Sequence, residues 1–200
     1  MTTHATESPL VGPAQHHQPA PFRLAHTDWL YHHLDIEGYS DTLARFADAA
    51  AGSGTIPWRL DLDLLEEDAF HILVGAGTLS LHGAETLAGQ LRAAVSRRHR
   101  LAVDRVGHSR ACPLDLHALL PVPDEMLSFG PGHPDALAWL WETWGTTDAL
   151  RHVTRRAAST PTRLSLSFWS ADWTPWRALK ILRTAWPDLR FTVCPIYRRD

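Results

Sequence analysis

The sequence predicts an α+β fold, and three observations carry that expectation. Strict alternation of Leu164, Leu166 and Phe168 with Ser165, Ser167 and Trp169 marks a half-buried strand. Helical spacing recurs from Leu43 to Ala50 and from Leu179 to Trp186, each run preceded by residues suited to a helix start. Glycine and proline punctuate the chain between such segments, at Gly38, Gly52, Pro113, Pro123, Gly145, Pro161 and Pro187.

Composition agrees with a globular protein. With 44% hydrophobic and 20% charged residues in 200 positions, collagen, coiled coil and wholesale disorder are excluded. A chain of this length buries roughly 70% of its unfolded surface. Apolar runs stay far below the ~18 residues of a membrane-spanning helix, and no basic start precedes an apolar core. The expectation is a cytoplasmic protein without membrane contact. Two cysteines, Cys112 and Cys194, cannot build a disulfide framework.

Taken in order, residues 1–21 hold four Pro, three His and no apolar periodicity, and are expected to form a flexible tail. Leu30, Leu34 and Ile36 share one parity, a strand pattern interrupted by His32 and ended by Gly38. Ser40 has N-cap chemistry for a helix presenting Leu43, Phe46, Ala47 and Ala50. Trp58–Leu62 and Phe70–Val74 read as two short strands joined by a solvated turn at Glu66, Glu67 and Asp68. Ala84–Val106 reads as a long helix with Leu87, Leu91, Ala94 and Val95 facing inward, weakened by about 1 kcal/mol at Gly89.

A boundary near residue 110 follows, dividing an N-terminal α+β subdomain, 22–110, from a C-terminal domain, 111–200. In the second half, Leu114–Val122 reads as a strand, Pro134 opens a helix running to Trp144, and Ala149–Arg155 is a strand. The alternating strand at 164–169 comes next. Thr174 as N-cap and Pro175 at the first helical position start another helix, with Leu179, Leu182 and Trp186 inward. Leu189, Phe191 and Val193 close the domain as a strand. The order strand, helix, strand, strand, helix, strand is that of a ferredoxin-like βαββαβ sandwich, an antiparallel sheet with two helices on one face.

Charge is unevenly spread. Up to His82 there are 11 acids against 3 bases, whereas Ala149–Asp200 holds 3 acids and 10 bases. Such a basic quarter suits phosphates or an acidic protein surface. Eighteen of the 19 basic residues are Arg, which a GC-rich genome explains as well as bidentate recognition does.

Three segments resemble a known family. His33-Leu34-Asp35-Ile36-Glu37-Gly38 with Phe46, Trp144-Gly145-Thr146-Thr147, and Phe168-Trp169-Ser170-Ala171-Asp172-Trp173-Thr174-Pro175 with Trp186-Pro187-Asp188-Leu189-Arg190-Phe191 are similar to the YubB-like (Api-like) proteins of conjugative plasmids and other mobile elements. Thr147-Asp148 stands where Lys-Trp is common in that family, and Asp172 lengthens the loop before Trp173. The resemblance implies a C-terminal ferredoxin-like domain and a bacterial mobile-element setting. The family has no established reaction, and the resemblance supplies no catalytic residue. The fold name implies no iron–sulfur cluster, since two cysteines cannot supply four ligands.

No catalytic signature or cofactor motif stands out, so the sequence reads as a binding protein rather than an enzyme. His108, Cys112 and His117 are the nearest approach to a metal constellation and define the alternative, a metal-dependent enzyme or metalloprotein. Asp61 and Asp63 would share one strand face, as a divalent-cation site requires.

The nine tryptophans are more unusual. Trp141, Trp144 and Trp186 fall at helix positions expected to face the core. Trp169 and Trp173 are expected to be exposed beside Arg163, Arg177 and Lys180, which defines the candidate binding surface. Exposed Trp beside Arg suits stacking on bases or anchoring a protein partner. It also suits a homodimer seam. The sheet face shared by Arg163, Ser165 and Ser167 is expected to show an aromatic only at the strand end, and the RNA-binding aromatic motif is absent.

Overall fold

The computed structural model describes residues 27–197; the expected N-terminal tail lies outside them, as do Arg198 and Arg199 of the basic quarter. Within the described residues four strands form one sheet: β1 (Trp29–Glu37), β2 (Arg151–Arg155), β3 (Arg163–Ala171) and β4 (Arg190–Ile196). Their order is β2-β3-β1-β4, and every neighbouring pair is antiparallel. Among the described residues seven helices accompany them: α1 (Ser40–Ala50), α2 (Leu62–Gly75), α3 (Leu81–Val103), α4 (Leu116–Leu119), α5 (Asp124–Phe129), α6 (Pro134–Thr143) and α7 (Trp176–Ala185). The α+β class is as the sequence predicts.

Alternation sets the two faces of the sheet. In β1 the residues Leu34 and Ile36 are buried, as are Leu164, Leu166 and Phe168 in β3. They join Leu43 and Phe46 of α1, Leu140 of α6 and Leu179 and Leu182 of α7 in one apolar core. Helices α1, α6 and α7 therefore cover this face. Phe46 meets Trp186 and Phe191 edge-on, each at 5.4 Å between ring centres. Trp144 is fully buried, and its indole N–H donates to the Leu120 carbonyl at 3.0 Å, satisfying the one polar atom it brings inside.

His32 does not interrupt the strand. It is fully buried and stacks on Phe168 at 5.1 Å between ring centres. Its Nδ1 donates to the Leu30 carbonyl at 2.9 Å, which leaves Nε2 to accept from the Thr174 hydroxyl at 2.8 Å. Thr174 is thus engaged across the core and does not cap α7, whose N-cap is Pro175. Ser40 is likewise not a cap but the first residue of α1. Gly38 permits the turn after β1, because a Cβ there would lie 2.5 Å from a methyl of Leu189.

Three expected strands are absent. Trp58–Asp61 is irregular, while Leu62 and Phe70–Val74 lie inside α2, whose N-cap is Asp61, its carboxylate accepting from the N–H groups of Asp63 and Leu64. That cap, together with Leu62, Leu65, Ala69 and Leu73 at helical spacing, outweighs the short apolar runs that read as strands. The acidic triplet is consequently helical, and Glu66 pairs with Arg92 of α3. Asp61 and Asp63 share no strand face: Asp61 caps, and Asp63 also pairs with Arg92. In place of a strand at Leu114–Val122, Asp115 caps the short α4 and also accepts from the Gly54 N–H at 2.9 Å. Residues 111–200 therefore supply three strands, and the sheet gains its fourth from β1, seated between β3 and β4.

The long helix runs three residues earlier than expected, and Leu87 and Leu91, read as its inward face, are 43% and 46% exposed. Its packing partner is α2, through Ala84 and Ala88, rather than the sheet.

Candidate functional site

The five residues singled out in the sequence lie on two surfaces. Arg163 and Trp169 project from β3 onto the sheet face opposite the helices, six residues or about 20 Å apart. At the Arg163 end the charges are paired. Arg163 Nη2 donates to Asp35 at 2.6 Å, Ser165 donates to the same carboxylate, and Glu37 holds Arg190. The hydrogen bond from Arg163 holds the Asp35 carboxyl below its ordinary range, against the opposing effect of burial.

The other end of that face is aromatic. Tyr31 of β1 stands opposite Trp169 in register, their ring centres 5.1 Å apart, and His33 meets Tyr31 edge-on at 5.3 Å. Arg151 of β2 is the register partner of Trp169 on its other side, and its guanidinium lies 3.8 Å from the centre of the Trp29 ring. Burial and the nearby Arg156 cation lower the pKa of His33. Tyr31, His33 and Arg151 were not singled out from the sequence. The signal was present: Tyr31 and His33 share the parity of Asp35, opposite to the core residues Leu34 and Ile36. What parity alone does not give is the β1–β3 register that sets Tyr31 beside Trp169.

Trp173, Arg177 and Lys180 form the second surface, at the α6–α7 end. The Trp173 ring centre lies 5.8 Å from that of Trp141, and the Arg177 guanidinium sits 5.5 Å from the Trp141 ring centre. Arg177 also pairs with Glu142 at 2.6 Å. Lys180 lines an open groove with Glu142, Arg177, Ile181 and Thr184. Trp141 is only partly buried and belongs to this surface, whereas Trp144 is core and Trp186 packs against it. Trp176, 52% exposed, adds a third tryptophan that the sequence reading left aside.

The loop that carries Trp173 is tied down from beneath. Ser170 Oγ donates to the Trp173 carbonyl at 2.6 Å, Thr146 Oγ1 to the Ala171 carbonyl at 2.8 Å, and Thr147 Oγ1 to Asp172 at 2.8 Å. Asp172 takes a positive φ of 61°, and its carboxylate also accepts from the Asp28 N–H. Gly145 makes the approach possible: at φ 75°, a Cβ there would meet the Arg177 backbone nitrogen at 3.2 Å. The Trp-Gly-Thr-Thr segment and the Ser-Ala-Asp-Trp-Thr-Pro segment are thus neighbours in space.

His108 and His117 line one cleft beside Ser109 and Asp115. His117 Nδ1 accepts from the Val122 N–H at 3.1 Å, and burial lowers its pKa. Cys112 donates to the Leu114 carbonyl at 3.2 Å, and burial pushes its thiol up to about 11. Among the described residues no group of three His, Cys, Asp or Glu side chains is placed to hold a metal ion. Among them, too, no helix is long and apolar enough to cross a membrane.

No family model matches the chain, and no curated protein matches it. A solved structure, protein api92 from Yersinia pseudotuberculosis of the family model DUF1281, is a distant structural neighbour. It has 14% sequence identity and a TM-score of 0.47, covering 85% of this chain and 90% of that one.

Proposed function

We propose that the protein is a non-enzymatic binding protein, a cytoplasmic accessory factor of a mobile genetic element, and that it contacts single-stranded nucleic acid through its open sheet face. The observation that carries this reading is the Tyr31–Trp169 pair on the two central strands. Adjacent rings on the sheet face away from the core are a platform on which successive bases stack, although Trp169 is half-buried rather than fully exposed as expected, and Arg151 and Arg156 beside them offer charge to the backbone. The mobile-element setting rests on the resemblance of the three sequence segments. We also read the fold as ferredoxin-like, with β1 as the first strand of the split βαβ unit and the segment from α1 to α6 as its first, elongated crossover. The order β2-β3-β1-β4, antiparallel throughout, supports that topology.

Fluorescence anisotropy with labelled single-stranded DNA, duplex DNA and RNA, each at low and physiological salt, tests the proposal. Binding to a single-stranded probe that weakens with salt supports it, each phosphate contact adding about 0.7 to the logarithmic slope. No binding at low salt refutes it.

A second reading concerns the α6–α7 surface. Trp141, with Trp173 edge-on to it and Arg177 over its ring, and Trp176 exposed, have the composition of a protein-binding hot spot. Replacing Trp173 and Arg177 with Ala abolishes partner capture on this reading without unfolding the domain; unchanged capture removes the surface from consideration.

A further inference from the structure

The strand register lays the sheet face out in rows. Across the four strands Arg151, Trp169, Tyr31 and Ile196 stand side by side, and the row behind them holds Thr154, Ser167, His33 and Cys194. Ser165, Asp35 and Thr192 share the next row, and Glu37 stands between Arg163 and Arg190 in the last. Neighbours within a row are about 5 Å apart, and successive rows about 7 Å.

The first row is the one that stays continuous. Each of its residues keeps accessible surface, Ile196 38% of its own. Behind it the surface is broken at β3: Ser167 and Ser165 are only 5% and 0% exposed, with their hydroxyls spent on Thr154 and Asp35. In the last row Arg163 and Arg190 both pair with Glu37. Along the first row the chemistry runs from a cation on β2, through two rings on β3 and β1, to an aliphatic side chain on β4.

Bases stack on rings and apolar surface while the backbone seeks cations, so a single strand gains most by lying along that row. We propose, resting on the nucleic-acid reading of this face, that a short unpaired stretch crosses the sheet at right angles to the β-strands, from β2 to β4. One base lies on Trp169, the next on Tyr31, and the chain leaves over Ile196 beside Cys194. Three gaps between strands make the row about 14 Å wide, which suits the two or three bases that such a sheet stacks. The ligand class is thus a short single-stranded segment of any sequence, and a duplex, whose bases are already stacked and paired, is refused.

Cys194 is exposed and reports the path directly, and Cys112, whose thiol burial pushes up to about 11, is the internal control. A deoxythymidine oligomer with one base carrying a short activated disulfide is bound to the full chain, and exchange with each thiol is followed by mass spectrometry. Every rate is taken relative to that of the same thiol with the free disulfide reagent. Cys194 should cross-link from one position of the oligomer, and excess unmodified oligomer should suppress the reaction. In Cys194→Ser/Thr192→Cys the thiol sits two rows behind Tyr31 and Ile196, at a site that is also exposed. It should exchange at least about ten times more slowly, because proximity drives the reaction. Equal relative rates, or no exchange at Cys194 in a protein that still binds the oligomer by anisotropy, overturn the crossing path and leave the stacking reading standing. A protein that binds no oligomer overturns both.

Discussion

In the sheet, Leu34, Leu166 and Phe168 have no exposed surface; in the α2–α3 hairpin, α2 buries no residue fully and α3 buries only Ala84 and Ala88. Both regions have good apolar periodicity. They differ in partners: the sheet is covered by α1, α6 and α7, and the hairpin helices pack chiefly on each other. Periodicity defines a face, and tertiary packing decides whether that face is covered. One region is consequently built for stability, and the other leaves apolar surface to be used.

The largest expected effect contrasts the two directly. Phe168→Ala should cost about 3–5 kcal/mol of stability in chemical denaturation, through lost burial and the cavity left behind. Leu91→Ala, measured in dilute protein, should cost less than about 1 kcal/mol, because nearly half its surface is already in water. Equal costs would erase the distinction between the regions.

Thr174→Val sharpens the picture within the core. It removes the hydroxyl that donates to His32 Nε2 and leaves a buried ring nitrogen without its partner. A loss of about 1–3 kcal/mol is expected, and no loss in thermal melts would mean that the network tying β1 to the Trp173 loop contributes nothing.

The same histidine sets a pH dependence. Burial lowers its pKa below the ordinary 6.5, so below that pH the unfolded chain takes up a proton that the folded chain resists. Stability is therefore full above about pH 6.5 and falls as the pH drops toward the folded value. His33 and His117, also lowered, act in the same direction. Melting temperatures should be lower at pH 5.5 than at pH 7.5, and a flat profile would contradict the neutral buried ring.

The smallest effect is chemical. Cys194 is exposed, while the Cys112 thiol is pushed up to about 11 by burial. Iodoacetamide at pH 8 should modify Cys194 well before Cys112, because the thiolate is the nucleophile. Equal rates would place Cys112 in a more open setting.

Much of the fold was legible in the sequence. The strand at 164–169 and the helix opened by Pro134 were readable because alternation and a fixed proline φ are local signals. The strands expected at 58–62, 70–74 and 114–122 failed for a local reason too: Asp61 and Asp115 are helix caps, and short apolar runs do not separate a strand from a capped helix. The candidate surface was half legible. Parity put Arg163 and Trp169 on one face but gave no sense of the Asp35 and Glu37 carboxylates that neutralise Arg163. Tyr31 was hidden because its partner lies more than a hundred residues away, and register between distant strands is not written in either one.

The most direct test of the sheet face as the nucleic-acid surface compares three proteins against one labelled single-stranded DNA. Anisotropy titrations would use the wild type, Tyr31→Ala/Trp169→Ala and Trp173→Ala/Arg177→Ala. The sheet-face pair should weaken binding by at least about tenfold, since base stacking on an aromatic is worth about 1–3 kcal/mol, while the α6–α7 pair leaves it unchanged. Loss of binding in the α6–α7 pair alone, or equal affinity in all three, would contradict the assignment.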